Sequence, residues 1–262
     1  MSVSRIGANR VADDFGAALS WMSDLGMRTD TVRLRSYSVA IERWAEMRLV
    51  GDEIARHVLS PSERSAIFEA VQFTDVFLAF GSTPTSDRLG IIDKLSQAIS
   101  GPSDGADETG KTRSPRNFLC EAVVAAKMQC PEQDCRAILD TSSDTGCVFH
   151  SRRIAVECKR LRSVSQIEKR VRKACDQLNG QLIGGPPFFH YGLVALEVSN
   201  VASVDESSME EVALREHPIA SMDEFILTPE LGRRSIRREI KGFLEHSFVF
   251  QSLFSRSPMA YG

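Results

Sequence analysis

Hydrophobic positions along the chain follow two different periods. Up to about residue 100 they recur every three to four residues, the spacing of helices that bury one face. This pattern predicts helices over 11–25, closed by Gly26, over 32–47, from Asp52, from Ser60-Pro61-Ser62-Glu63 onward, and over about 88–99. Ser60 and Glu63 stand at capping-box spacing, with proline at the first helical position, so that start is the best specified. Tyr37 and Trp44 lie on apolar positions at helical spacing and are expected in the core rather than stacked on bases.

Residues 101–115 are polar and glycine-bearing and are expected to form a linker or mobile loop. Beyond them the period changes. Ser114-Pro115 opens a helix whose apolar face continues through Phe118, Ala122, Ala125 and Ala126. Glu121 sits beside that face, where a carboxylate needs either a partner or a task. Residues 145–149 and 153–159 have strand character, and His150-Ser151-Arg152 is a tight turn that would fold them into a hairpin. Asp144, just before the first of these strands, is thereby brought toward the end of the second. Ser163 to Gln166 has capping-box spacing ahead of Ile167, Val171, Ala174 and Leu178, and Tyr191 to Val198 is expected as a further buried strand.

The candidate chemistry lies in the second strand, IAVECKR, Ile154 to Arg160. Alternate residues of a strand face the same way, so Glu157 and Lys159 project together while Val156 and Cys158 face the opposite side. A hard cation such as Mg2+ takes carboxylate oxygens, and a phosphodiester under attack needs positive charge nearby. Glu157 and Lys159 are suited to those two tasks, with Asp144 as the second acid and Asp140 as its rival. A structural salt bridge in an unrelated α/β protein is the competing interpretation.

The order of a helix with Glu121, then Asp144, then Glu157-Cys158-Lys159, a basic helix ending in A-x-x-Q-L (Ala174 to Leu178) and another strand resembles the PD-(D/E)XK, or restriction-endonuclease-like, nuclease superfamily over about residues 114–200. It also resembles an uncharacterised bacterial group in which E-C-K-R follows a D-V-V-like strand. The resemblance implies an α/β fold with an αβββαβ core and a mixed sheet, preceded by an all-α region. With the residue pattern, the chain is expected to divide into a helical region of unknown role over 1–100, the 101–115 linker or mobile loop, and a nuclease domain with C-terminal helices over 116–262. The resemblance further implies Mg2+ or Mn2+ as cofactor, a nucleic-acid substrate, DNA first, endonucleolytic hydrolysis, and a setting such as phage defence. Matched by position, Asp144, Glu157 and the Cys158 carbonyl would hold the metal, and Glu121 would act through metal-bound water. Lys159 would be the catalytic lysine, Gln177 would match the helix glutamine, and Gln177 and Arg160 would position phosphate. Ser143 stands where the family carries proline. A catalytically silent nucleic-acid-binding or assembly subunit of the same fold is the alternative.

Composition narrows the field. The 262 residues, 42% hydrophobic and 26% charged, can bury a sizeable core and could hold two compact units, and a net charge of −3 argues against a globally basic protein. Residues 152–173 nevertheless carry nine positive side chains against two acids. Within this run Lys169, Arg170, Arg172 and Lys173 lie opposite the apolar face of the helix, either as phosphate contacts or as a solvated surface. A second basic run, Arg233 to Lys241 behind Thr228-Pro229, is expected to be exposed surface, and an acidic stretch spans 205–216. The six cysteines contain no C-x-x-C pair, which favours reduced thiols over a zinc or iron–sulfur site. The sequence has no phosphate-binding G-x-x-x-x-G-K-[ST] motif. It has neither a membrane-length apolar run nor a signal-peptide pattern, so the expectation is a cytoplasmic protein without a membrane partner, with a homodimer or a partner protein both open.

Overall fold

The computed structural model describes residues 8–49, 60–84, 88–108, 115–139, 143–161, 163–183 and 189–197. The helix expected from Asp52, the acidic stretch, the second basic run and Asp140 lie outside these residues. The chain falls into two compact units, a larger one of Ile6–Arg160 with Ala174–Leu196 and a smaller one of Met1–Arg5, Leu161–Lys173 and Glu197–Gly262.

Four helices open the larger unit: α1 (Ala8–Asp24), α2 (Val32–Leu49), α3 (Pro61–Phe80) and α4 (Leu89–Ala98). Helices α1, α2 and α4 keep within a few residues of their predicted limits, and α3 starts where its capping signal places it. Gly26 follows α1 at φ 81°, a conformation that costs glycine little. The capping box forms as the sequence specifies: the Ser60 hydroxyl accepts from Glu63 N–H, and the Glu63 carboxylate accepts from Ser60 N–H. The first three helices meet over Phe15, Tyr37 and Phe73, whose rings lie 6.4 to 6.5 Å apart in sequence. Tyr37 and Trp44 are buried, so both belong to the core.

A line of charge runs through this core. Arg33, fully buried on α2, donates to Glu69 of α3 at 2.7 Å and to the Ala98 carbonyl at 2.6 Å. Glu69 also accepts from Arg116 at 2.5 Å and from the Tyr37 hydroxyl. Arg116 in turn faces Glu108 at 3.4 Å, and Glu108 pairs with Arg160 at 2.9 Å. Arg116 also takes the carbonyls of Pro102 and Ser103. Residues 101–108, within the stretch expected as a linker or mobile loop, thus contribute a 3-10 turn, Gly105–Asp107, and acceptors for a buried arginine.

Helix α5 (Pro115–Met128) packs on α3 and α4 and also on the sheet. The sheet has the order β1 (Cys135–Ile138), β2 (Thr145–Phe149), β3 (Arg152–Arg160), β4 (Tyr191–Glu197), with helix α6 (Ile167–Ile183) between the last two strands in sequence. Strands β1, β2 and β3 pair antiparallel. Strand β4 runs parallel to β3: His190 N–H donates to the Arg153 carbonyl and, further along both strands, Leu161 N–H donates to the Glu197 carbonyl. From α5 onward the order is therefore αβββαβ with a mixed sheet.

The hairpin turn holds His150 and Ser151 at φ 46° and 65°, the left-handed geometry of a two-residue connection, and Arg152 already pairs with Phe149. Two expectations fail. Ser163 makes no capping box; its hydroxyl meets that of Ser165 at 2.9 Å, and a 3-10 turn, Val164–Gln166, leads into α6. Strand β4 is not fully buried: Tyr191 and Leu193 are exposed, because β4 is the last strand of the sheet and has β3 on one side only. Among the described residues no helix is long and apolar enough to cross a membrane.

Candidate active site

Strand β3 sorts its residues by parity, as a strand must. Val156 and Cys158 turn to α5, where they bury against Cys120, Val124 and Met128. Ala155 turns to the other layer, against Leu178 and Phe189. Glu157 and Lys159 continue that second row, carrying polar groups where the pattern would otherwise supply core.

The hairpin register then brings in Asp144. Thr145 lies opposite Val156, and one step further along the same register sets Asp144 against Glu157. Asp144 Oδ2 accepts from Cys158 N–H at 2.8 Å and from Lys159 Nζ at 3.1 Å. The same ammonium lies 2.7 Å from Glu157 Oε2. Two contacts of 3.1 Å and 2.7 Å to one nitrogen hold the carboxylate oxygens no more than 5.8 Å apart. That is within the roughly 6 Å expected of two acids sharing one ion.

Glu157 is buried to 1% exposure, and its other oxygen accepts from Gln181 Nε2 at 3.0 Å. Glu121 reaches the site from α5, and its partner is Lys94 of α4, at 2.5 Å. Lys94 also donates to the Asp144 main-chain carbonyl at 2.5 Å. Burial pushes the Glu121 carboxyl above its usual range, with the Lys94 ammonium pulling it back and the Asp144 charge pushing it up. For Lys159, burial works against the charged form, but the hydrogen bond to Glu157 and the charge of Asp144 outweigh it, so its pKa is raised. The Cys158 thiol is pushed far up, first by its contact with Cys120 and then by burial, which makes it a core group rather than a nucleophile.

The remaining predicted residues are placed as follows. Arg160 is engaged by Glu108 and points into the buried charge line. Gln177 is exposed, and the glutamine on Glu157 is Gln181, one helical turn later. Lys169, Arg172 and Lys173 are exposed and Arg170 is half-buried, with Arg172 paired to Glu168 at 3.2 Å. Sequence reasoning missed Gln181 and Lys94. The A-x-x-Q-L pattern directed attention to Gln177, one turn before the glutamine that meets Glu157, and Lys94 lies 50 residues from the carbonyl it holds, with no local signal.

As for a metal, no group of three or more His, Cys, Asp or Glu side chains is placed to hold one among the described residues. The available donor set is the Asp144 and Glu157 carboxylates, with the neighbouring Cys158 carbonyl. This all-oxygen set fits Mg2+ or Mn2+, since Mg2+ commonly takes one or two carboxylates and keeps several waters. No protein-family model, curated protein or solved structure matches the chain.

Proposed function

We propose that this chain is a divalent-metal-dependent nuclease with a restriction-endonuclease-like core, using Mg2+ or Mn2+ to hydrolyse phosphodiester bonds of DNA, as an endonuclease in defence against foreign DNA. The observation that carries this reading is the convergence of Asp144 and Glu157 on the ammonium of Lys159 at one end of the hairpin. The αβββαβ order from α5 to β4 supports it.

A bound divalent ion would supply Lewis-acid polarisation of the phosphate and a more acidic water. The chain's own residues have separable tasks. Asp144 and Glu157 would hold the ion, the Cys158 N–H fixes the Asp144 carboxylate, and Gln181 fixes Glu157. Lys159, kept protonated by its two acids, would offset charge developing on the phosphate. The exposed Lys169, Arg172 and Lys173, with Arg170, would take backbone phosphates of the substrate. Arg160, held by Glu108, is better suited to fixing the end of β3 than to contacting substrate.

A silent nucleic-acid-binding subunit is the second reading. It is favoured by the pairing of each acid at the site with a lysine: Asp144 and Glu157 with Lys159, and Glu121 with Lys94. A cleavage assay on linear duplex, circular duplex and single-stranded DNA and on RNA, with Mg2+, Mn2+ or EDTA, separates the two. Metal-dependent product on any substrate, lost in Glu157→Gln, is the expected result. Binding without product under every condition would leave the silent subunit.

A further inference from the structure

Glu121 comes near enough from α5 to feel the Asp144 charge, yet its carboxylate is already taken. Lys94 Nζ lies 2.5 Å from Glu121 Oε2 and 2.5 Å from the Asp144 carbonyl, and the two side chains are only 12% and 13% exposed. The reach of Lys94 is built into the fold. One turn earlier on α4, Gly90 lies so close to the chain before β2 that an added Cβ would sit 2.5 Å from Leu139 Cβ. Only a residue without a side chain lets α4 approach this near.

We propose that Lys94 is a resident counter-ion that withholds the Glu121 carboxylate from the metal, so that the metal-free and metal-loaded chains differ in what Lys94 holds. The proposal rests on the metal-site reading above and extends it to a residue outside the motif. The three acids Glu121, Asp144 and Glu157 face two ammonium groups, Lys94 and Lys159, a balance of −1 before any ion binds. A divalent ion on Asp144 and Glu157 would compete with Lys159 for their carboxylates, while Lys94 holds the main-chain carbonyl of Asp144. The type of residue at position 94 suits an exchangeable partner. Lysine is a point charge on a flexible stem, whereas arginine would grip a carboxylate with a rigid fork. Neutralising Lys94 removes a positive charge held on the Asp144 main-chain carbonyl and releases the Glu121 carboxylate. Those gains outweigh the loss of one hydrogen bond to Asp144.

Mn2+ binding to the full chain, followed by the electron paramagnetic resonance of free Mn2+ at about pH 8, tests this without any substrate. Lys94→Gln should bind Mn2+ at least about fivefold more tightly than the native chain, and Lys94→Arg no more tightly than native. Equal or weaker binding by a Lys94→Gln chain with native near-ultraviolet circular dichroism, while the native chain binds, overturns the counter-ion alone. If neither the native chain nor the variant binds, the metal-site reading falls with it. Tight binding by the variant where the native chain shows none would support the counter-ion most directly. Should Lys94→Gln fail to fold, nitrogen-15 lysine ammonium spectra of the native chain decide the matter. Saturating Mg2+ should shift the Lys94 resonance and speed its hydrogen exchange, and an unmoved resonance at saturation overturns the proposal.

Discussion

Glu69→Gln removes the one acid that Arg33, Arg116 and Tyr37 share, while keeping the shape of the side chain. The native line sets three cations, Arg33, Arg116 and Arg160, against two acids, Glu69 and Glu108. The variant sets three against one, in a region where the side chains of Arg33 and Arg116 are 0% and 3% exposed. Breaking a buried pair in this way costs about 3 to 5 kcal/mol, because the guanidinium left behind cannot be rehydrated. Tyr37 offers no relief. Burial, and then the Glu69 charge, push its hydroxyl well above the ordinary range, so it remains a neutral donor. For a domain of this size the cost corresponds to a melting temperature lower by roughly 6 to 20 °C. Urea unfolding should show a lower midpoint with an unchanged slope. Adding Arg33→Met to Glu69→Gln should recover part of the loss by removing one stranded charge. Arg10→Ala, which breaks an exposed pair with Asp14, should cost less than about 0.5 kcal/mol in the same assay. A Glu69→Gln loss below about 1 kcal/mol would refute the reasoning, since it would mean that the buried line behaves like surface pairs.

Lys159→Ala should reduce turnover by on the order of a hundredfold or more, with a much smaller change in DNA affinity, measured by single-turnover cleavage beside a binding titration; equal losses in both would make Lys159 a plain phosphate anchor. The pKa of Lys159 is raised in the folded chain. Its contribution to stability is therefore fully present below its unfolded value, about 10.4, and is lost as pH rises through the higher folded value. The difference in urea stability between native and Lys159→Met should be constant from neutral pH to about 10 and shrink above it; a gap that widens there would contradict the assignment. Replacing Lys169, Arg170, Arg172 and Lys173 together by glutamine should weaken binding on every duplex and flatten its salt dependence by about 0.9 log unit per lost contact. An unchanged slope in a salt titration would mark these residues as solvated surface.

What the sequence made legible was local. Alternation in IAVECKR placed Glu157 and Lys159 on one face, and the turn signal at His150 and Ser151 set the register that brings Asp144 to them. Strand β1 escaped notice because Cys-Arg-Ala-Ile is four residues long, follows a 3-10 turn at Pro131–Gln133, and becomes a strand by pairing with β2. The capping-box spacing at Ser163 misled for a related reason. The serine found another hydroxyl, and Gln166 Oε1 is left buried without a partner among the described residues. The residues that complete the site lie too far away in sequence for any periodicity to report. Lys94 meets the Asp144 carbonyl across 50 positions, and Gln181 meets Glu157 across 24. Nothing in the pattern around Arg33 or Glu69 states that the two face each other.

The buried line of charge has a consequence for cutting the chain into parts. A fragment beginning at residue 116 would retain the whole motif from Glu121 to Gln181, and by pattern alone it is the natural minimal unit. It would also discard Glu69 and Glu108, which pair with Arg116 and Arg160, and Lys94, which pairs with Glu121. The helices and the 101–108 segment ahead of the motif supply opposite charges to its last strand and its first helix. Grafting or expressing the motif by itself would therefore transplant the acids and the lysine without the electrostatic frame that lets them stay buried, and the shortest workable piece must reach back at least to Arg33.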